Sequence, residues 1–244
     1  DHRDLHSFPT RRSSDLLENV EFKLLDSSGS ALHFTLQEDG RYKVTATGSV
    51  IFRTDESGEA LISHIPAGMY QLVEQPYDGY GAHDQATVTI SGTNTEESPA
   101  VVSIENCPTE LVLTKIDADT GVAIAGVEFT LNGSYGETVS LAHMQDGTYR
   151  PTSAVINAES VEQYTNRLVM DSSGRIRIQY LRYGSYTLDE QQVFGYAPLA
   201  EVVFEITPAH SSESPLNVTV VNIPASLVIS KTNAVTQTDR KSVV

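Results

Sequence analysis

The stretch that decides the fold is Leu111-Val112-Leu113-Thr114-Lys115, the start of a segment that runs to Leu131. Successive side chains of a β-strand point to opposite faces, so Leu111, Leu113 and Lys115 share one face. That face is apolar except for the lysine. A lysine directed at a core is costly unless it is partnered or neutralised. The pattern therefore predicts a strand whose buried stripe ends on a lysine with a special role.

Two later strands end in the same way. In Tyr186-Thr187-Leu188-Asp189-Glu190 the glutamate ends the apolar face, and in Val218-Thr219-Val220-Val221-Asn222 the asparagine does. Each of the three predicted strands thus carries one polar residue at the end of an inward stripe. We expect Lys115, Glu190 and Asn222 to meet in one core.

The chain contains one unit twice and the start of a third. Gly68–Glu74 recurs as Gly184–Glu190, and from Gly58 onward the repeat spacing is constant at 116 residues. Such self-similarity indicates tandem copies of one structural unit. We predict a first β-sandwich over 17–107 that lacks its first strand (unit 1), and a complete one over 108–224 (unit 2). Residues 225–238 are predicted to be the first strand of a truncated third unit.

The fold class predicted from these patterns is all-β, with tandem immunoglobulin-like β-sandwiches. Short alternating segments are separated by turn residues, which is typical of such sheets. The best helix candidate, Ala158–Thr165, lies in a longer insertion, Gly133–Leu168, of unit 2. The links between units are short, so the units are expected to form a stiff line.

The two ends of the chain look foreign to the protein. Residues 239–244 can be encoded by a short-read sequencing adapter whose reverse complement, in another frame, encodes residues 11–15. Residues 1–16 and 239–244 are therefore expected to be adapter-derived artefacts and are left out of the fold prediction. The remaining chain is then expected to be an open fragment of a longer protein.

Charge and composition argue against several classes of partner. The formal net charge is −16, from 32 acidic and 16 basic residues. An acidic chain without basic clusters is not suited to nucleic acid or to anionic membrane surfaces. No apolar run is long enough to span a bilayer, so no membrane insertion of this fragment is expected. One cysteine, Cys107, excludes an intrachain disulfide.

Cofactor and metal sites are not predicted. Asp117, Asp119 and Thr120 resemble the start of a calcium loop, but no glycine or bidentate glutamate completes it, so a turn is expected. The histidines are dispersed without metal-ligand spacing. No phosphate-binding or dinucleotide fingerprint is present.

Two motifs give a family resemblance. Lys115–Gly121 followed by Gly126–Leu131, together with Gly68–Tyr80 (GMYQLVEQPYDGY), resembles the collagen-adhesin B-type (CnaB-like, prealbumin-like, SpaA-type) domain. Such domains build pilins and surface adhesins of Gram-positive bacteria. The resemblance implies prealbumin-like sandwiches and an extracellular location at the cell wall or cell surface.

The resemblance also implies a chemistry for the three polar residues. In that family a lysine of the first strand is joined to an asparagine of the last strand by an intramolecular isopeptide bond, with the help of a glutamate. Carried over, Lys115 and Asn222 form the crosslink and Glu190 assists. A protonated Glu190 is expected to hydrogen-bond the carboxamide oxygen of Asn222 and to polarise its carbon.

Unit 1 departs from the family pattern. It has the equivalent glutamate, Glu74, and asparagine, Asn106, but the partner lysine is missing from its start. Lys23 is expected to point outward, because its neighbours Phe22 and Leu24 take the inward face. We therefore predict no bond and an exposed sheet edge in unit 1. Lys231 is the mirror case, a first-strand lysine whose own unit is missing.

The function predicted from these observations is a structural stalk or pilin-like module that crosslinks itself. The reaction happens once per chain, so no enzyme activity is expected. The predicted partners are neighbouring domains of the same chain, and in the alternative a host matrix or glycan ligand. That alternative is a ligand-binding adhesin module using Gly133–Leu168. An enzyme or enzyme accessory of the same fold would need a histidine or metal cleft, and an ordinary buried salt bridge of Lys115 with Glu190 also remains open.

Overall fold

The computed structural model describes residues 16–83, 85–154 and 156–231. Within these ranges the chain forms β-strands in two successive units, each built from two sheets. The predicted all-β class with tandem sandwiches is confirmed. Apart from Leu16, the ends predicted to be adapter-derived lie outside the described residues, as do residues 232–238 of the predicted third unit.

Unit 1 has two small sheets around one apolar core. One sheet has the strand order β4-β1-β6-β7 and the other has the order β2-β3-β5. Phe22 and Leu24 alternate with more exposed residues along the first strand, and together with Val20 just before it they lie in the core. The strands are β1 (Glu21–Leu25), β2 (His33–Leu36), β3 (Tyr42–Thr45), β4 (Phe52–Arg53), β5 (Ile62–Ser63), β6 (Gly68–Glu74) and β7 (Ala86–Ile90).

Unit 2 is larger and has ten strands. Its sheets have the orders β12-β10-β11-β14-β8-β17 and β13-β9-β15-β16. The strands are β8 (Glu110–Asp117), β9 (Glu128–Asn132), β10 (Leu141–Met144), β11 (Thr148–Pro151), β12 (Val161–Thr165), β13 (Leu168–Val169), β14 (Arg175–Gln179), β15 (Gly184–Glu190), β16 (Val202–Ile206) and β17 (Leu216–Asn222).

Strand β8 organises the larger sheet of unit 2. It pairs antiparallel with β14 on one side and parallel with β17 on the other. Leu111 and Leu113 are fully buried and pack with residues of the facing sheet, such as Phe129 and Leu188, in one core cluster. The alternation of side chains that brings these leucines inward also brings Lys115 inward.

Between β11 and β13, unit 2 has nine residues more than unit 1 has between the equivalent strands β3 and β4. Tyr149 of β11 follows Tyr42 of β3 by 107 positions, whereas Leu168 of β13 follows Phe52 of β4 by 116. Most of the predicted insertion Gly133–Leu168 therefore has a counterpart in unit 1. Leu141 and Met144 from this stretch are buried, so it contributes to the fold of unit 2.

The predicted helix over Ala158–Thr165 is wrong in its second half. Ala158–Ser160 forms one turn of 3-10 helix, capped by the side chain of Asn157. Val161–Thr165 is instead strand β12, which pairs with β10 at the edge of the sheet. This segment is a strand because pairing with a neighbouring strand outweighs its weak local preference for a helix.

The last residues of unit 1 form no regular strand. In unit 2 the equivalent segment is β17, which is hydrogen-bonded only to β8. The described part of unit 1 has no strand in the position of β8. Residues 98–107 consequently lack a strand partner and are irregular.

A tight joint connects the units. The backbone N–H of Thr109 donates to Gly79 O (2.9 Å), and that of Gly81 donates to Cys107 O (2.9 Å). From unit 2, the Tyr183 hydroxyl donates to the carbonyl oxygens of Tyr77 (3.0 Å) and Tyr80. The bonds of Thr109 and Tyr183 tie the loop after β6 to unit 2, and the bond of Gly81 ties that loop to the last residue of unit 1.

The same backbone pattern recurs at the far end of unit 2. Ala197 N donates to Ile223 O and Ala225 N donates to Gly195 O, 116 positions after the bonds of the first joint. Beyond it, the described residues up to Lys231 form no strand, and Leu227 is 83% exposed. The predicted first strand of a third unit therefore has the sequence of a strand without a sheet to join.

Candidate functional site

Three polar side chains meet in the core of unit 2, although they come from distant parts of the chain. Lys115 lies near the end of β8, Asn222 ends the adjacent strand β17, and Glu190 ends β15 in the facing sheet. Lys115 and Asn222 are 0% and 1% exposed. The Glu190 side chain is 4% exposed. The cluster is thus closed off from solvent.

The contacts within the cluster are direct. Lys115 Nζ lies 2.8 Å from Glu190 Oε1 and donates a hydrogen bond to Asn222 Oδ1. Asn222 Nδ2 donates to Glu190 Oε2 over 3.0 Å. The strand register explains the contact between Lys115 and Asn222, since Lys115 is opposite Val220 in the parallel pair and Asn222 is two residues further on the same face.

Burial changes the acid–base behaviour of the lysine. Removal from water lowers the pKa of Lys115, and the interaction with Glu190 opposes this shift only in part. A lowered pKa favours the neutral amine, which is a nucleophile, whereas the ammonium is not. The cluster therefore combines a lysine nitrogen with a lowered pKa, a carboxamide in contact with it and a carboxyl group next to both.

Glu190 contacts a different atom of Asn222 than the one we expected. Its Oε2 faces the amide nitrogen Nδ2, and the carbonyl oxygen Oδ1 faces Lys115 instead. In this arrangement one carboxyl oxygen is next to the amine and the other is next to the nitrogen that an aminolysis would release. The geometry suits proton transfer between those two nitrogens more than polarisation of the carbonyl.

Sequence reasoning missed a polar contact beside the cluster. The Tyr196 hydroxyl donates to Asp117 Oδ2 over 2.7 Å, and Asp117 Oδ1 accepts the N–H groups of Asp119 and Thr120. The hydrogen bond from Tyr196 is the main cause that lowers the pKa of Asp117 to about 2. The signal in the sequence was the recurrence of Gly79-Tyr80 as Gly195-Tyr196, which does not by itself indicate a partner for the tyrosine hydroxyl.

The end of β8 is joined to the end of β17 at the same place. Ala118 N donates to Asn222 O over 2.9 Å, and Asp117 is the register partner of Asn222. Asp117 begins the predicted turn, and its side chain accepts bonds within that turn. These contacts fix the backbone on both sides of the lysine and asparagine.

Unit 1 holds two of the three groups. Asn106 Nδ2 donates to Glu74 Oε1 over 2.5 Å, which matches the contact between Asn222 and Glu190. Burial raises the pKa of Glu74, and the bond from Asn106 counteracts this in part. Lys23 sits in β1 between the buried Phe22 and Leu24, on the opposite face of the strand.

Lys231 is not part of either polar cluster. It lies on the irregular segment after unit 2 and is exposed. The described residues contain no group of three or more His, Cys, Asp or Glu side chains placed to hold a metal ion. Over the same ranges, no helix is both long and apolar enough to cross a bilayer.

Comparison with known proteins identifies the family. The family model for SpaA, a prealbumin-like fold domain, matches residues 11–106 and 109–224. No curated protein sequence matches the chain. Among solved structures, the minor pilin GBS52 of Streptococcus agalactiae is 20% identical, over 89% of this chain and 88% of that chain, with a TM-score of 0.41.

Two further solved structures are similar at the same level. The shaft pilin SpaA of Lactobacillus rhamnosus GG is 19% identical over 87% of this chain and 90% of that chain, with a TM-score of 0.37. A streptococcal ancillary pilin is 25% identical over 86% of this chain and 58% of that chain, with a TM-score of 0.33. Since the family model matches one segment in each unit and together most of the sequence, this chain belongs to the family of SpaA prealbumin-like fold domains.

Proposed function

We propose that this chain is a structural stalk module, pilin-like in kind, of a bacterial surface protein, and that unit 2 closes itself with an isopeptide bond between Lys115 and Asn222. The observation that carries the proposal is the buried contact of Lys115 with both Asn222 and Glu190. Family membership and the pilins among the similar structures support a location at the cell wall or cell surface.

The reaction is an aminolysis of the asparagine side chain. Glu190 takes a proton from the lysine ammonium at Oε1, and the neutral Nζ attacks Cγ of Asn222. As the Cγ–Nδ2 bond breaks, the attacking nitrogen gives up a second proton through Glu190, and both protons pass to the departing nitrogen. One amide forms and one ammonium ion leaves, so the carboxylate ends as it began.

Folding supplies most of the acceleration. Reacting groups that are held in contact gain an effective concentration far above any solution value. The core also excludes water that would stabilise the ammonium. We propose that the reaction runs once, as maturation without turnover, and that the chain is not an enzyme.

The position of the bond would protect unit 2 against pulling. Tension from unit 1 enters at the start of β8, beside Thr109, and leaves after Asn222 at the end of β17. A bond from Lys115 to Asn222 carries that tension directly from the first strand to the last. The residues between them then lie outside the load path, and the sandwich cannot be peeled open.

The test is the covalent state of the purified chain. We expect trypsin to release a branched peptide in which Lys115 is joined to Asn222, with the loss of one ammonia. Lys115→Ala should abolish this peptide, while the matched control Lys23→Ala, on a half-buried lysine of β1, should keep it. Separate, unmodified Lys115 and Asn222 peptides from the natural chain would overturn the crosslink and leave an ordinary buried polar cluster.

A further inference from the structure

We propose that Tyr196 is a positioning residue for the crosslink of unit 2. Its hydroxyl group ties the loop that follows Glu190 to the end of β8, and this tie holds the glutamate carboxyl group against Lys115 and Asn222. The role depends on the crosslinking reaction proposed for unit 2, because it concerns the rate of that same reaction. Tyr196 acts through the backbone of the loop and of β8.

The proposed reaction needs three side chains from separate strands to stay in contact. Lys115 and Asn222 belong to neighbouring strands, and the pairing of those strands sets their distance. Glu190 ends β15 in the facing sheet, where β15 pairs with β9 and β16. The position of its carboxyl group therefore depends on contacts between the two sheets. A misplacement of about 1 Å can slow such a reaction about 100-fold.

The loop after β15 is bonded to the end of β17. Ala197 N donates to the carbonyl oxygen of Ile223, the residue after Asn222, over 2.9 Å. Ala225 N donates to Gly195 O over 2.9 Å as well. Both bonds are made by backbone groups, so they fix the loop beside the asparagine. A contact with β8, the strand of the lysine, has to come from a side chain of the loop.

The side chain of Tyr196 provides the contact with β8. Its hydroxyl donates to Asp117 Oδ2 over 2.7 Å, and Asp117 lies two residues after Lys115 on the same face of the strand. Asp117 Oδ1 accepts the N–H groups of Asp119 and Thr120, so the carboxylate is held on both sides. Because the pKa of Asp117 is lowered to about 2, the acceptor is ionised at neutral pH and the bond belongs to the stronger, charge-assisted class.

The backbone bonds of this loop recur in unit 1, where they form part of the joint with unit 2. Tyr80 stands in the place of Tyr196, 116 positions earlier. Its ring packs edge-on against Tyr180 of unit 2, with the ring centroids 5.5 Å apart. The loop is thus a recurring element of the fold, and in each unit its tyrosine connects it to another element.

The experiment follows crosslinking in newly made full chains. The chain is labelled in a short pulse of cell-free translation, and samples are denatured at intervals and digested with trypsin. The yield of the branched Lys115–Asn222 peptide over time gives the rate, and resistance to a brief protease treatment before denaturation gives the folded fraction. We expect the rate per folded chain to be about 10- to 100-fold lower in Tyr196→Phe than in the natural chain. Tyr135→Phe, at a position that is 98% exposed, is the matched control and should leave the rate unchanged.

A second variant disturbs the same loop through its backbone alone. Gly195 and Gly136 both have a left-handed backbone, with φ of +86° and +79°, and a Cβ added to either would meet nothing within 4 Å. An alanine therefore strains both turns to a similar degree. We expect Gly195→Ala to slow the crosslink at least about fivefold, and Gly136→Ala, in the turn after β9, to leave its rate unchanged. Equal rates in these two variants would contradict a positioning role of the loop.

Asp117→Asn is the conservative change at the other end of the bond. Its Oδ1 still accepts the N–H groups of the turn, and its Nδ2 can donate to the Tyr196 hydroxyl. We expect a rate within about threefold of that of the natural chain, since the tie is kept in neutral form. A loss as large as that in Tyr196→Phe would overturn the positioning role, because it would show that the charge is required and the tie is not.

The outcomes separate the role of Tyr196 from the crosslink itself. If the branched peptide forms equally fast in Tyr196→Phe and in the natural chain, Tyr196 has no positioning role and the proposed function stands. If the natural chain yields no branched peptide at any time, the crosslink is overturned, and the role of Tyr196 is overturned with it.

Discussion

Lys115 Nζ and Glu190 Oε1 lie 2.8 Å apart although the two residues belong to the facing sheets of unit 2. The lysine and its asparagine are neighbours within one sheet, but the glutamate arrives only when the second sheet packs on the first. The proposed reaction therefore cannot precede formation of the sandwich. The crosslink would form only in chains whose unit 2 has already folded.

Replacement of Glu190 by glutamine should prevent the crosslink. Glu190→Gln keeps the size of the side chain and its contact with Asn222, but it removes the group that accepts and returns the proton. We expect the branched Lys115–Asn222 peptide to disappear from the peptide map. Glu205→Gln, on an exposed position of β16, is the matched control and should retain the branch. A variant Glu190→Gln that still crosslinks fully would assign proton transfer to another group.

Loss of the crosslink should lower the free energy of unfolding of unit 2. The proposed bond would close a loop between residues 107 positions apart, and by the loop-closure model such a loop contributes about 4–5 kcal/mol. Lys115→Met removes the bond and fills the space of the lysine side chain with an apolar one of similar length. We expect it to be less stable by about 4 kcal/mol in a denaturant titration.

Asn222→Ala should be the more damaging change. It removes the same bond and also leaves Lys115 and Glu190 without the carboxamide that contacts both, at an additional cost of about 1–3 kcal/mol. Equal stability of both variants and the natural chain would mean that unit 2 gains nothing from these residues beyond packing.

The joint between the units should open when Gly81 gains a side chain. A Cβ built on Gly81 would sit 2.5 Å from the Cβ of Ser211 in unit 2, and that atom cannot move without its backbone. We expect Gly81→Ala to speed hydrogen exchange at the amide of Ala82, which donates to Pro208 O across the joint. Gly92→Ala is the control, because nothing lies within 4 Å of its Cβ. Identical exchange in both variants would contradict a joint held by close contact.

The hydrogen bond from Tyr196 to Asp117 should make part of the stability depend on pH. The pKa of Asp117 is lowered to about 2, mainly by this bond, against about 3.9 in an unfolded chain. The contribution is therefore fully present above about pH 4 and is lost as the pH falls through about 2.

Tyr196→Phe should remove this dependence. We expect the pKa of Asp117, followed by NMR of its carboxyl carbon, to rise toward the ordinary value. The stability difference from the natural chain should be largest above about pH 4 and should shrink toward pH 2. Tyr164→Phe, at a largely exposed position of β12, should leave the titration unchanged. An unshifted Asp117 in Tyr196→Phe would assign the lowered pKa to the turn around Thr120.

Local patterns were sufficient for the strands that carry the site. Period-two alternation placed Leu111, Leu113 and Lys115 on one buried face, and the 116-residue repeat indicated the matching ends of the other two strands. Alternation was not sufficient for Val161–Thr165, where a helix was expected and a sheet edge formed a strand. Without β10 as a hydrogen-bonding partner, this segment would not be held in the extended conformation of a strand.

The sequence by itself determined the all-β class, the repeat and the inward direction of Lys115, because side-chain alternation and self-similarity are properties of the chain alone. Only the tertiary structure decided which atoms meet, since Glu190 comes from another sheet and faces the nitrogen of Asn222 rather than its oxygen. It also decided that the segment before Asn106 stays irregular while its copy forms β17, because a strand exists only where a neighbour accepts its backbone hydrogen bonds.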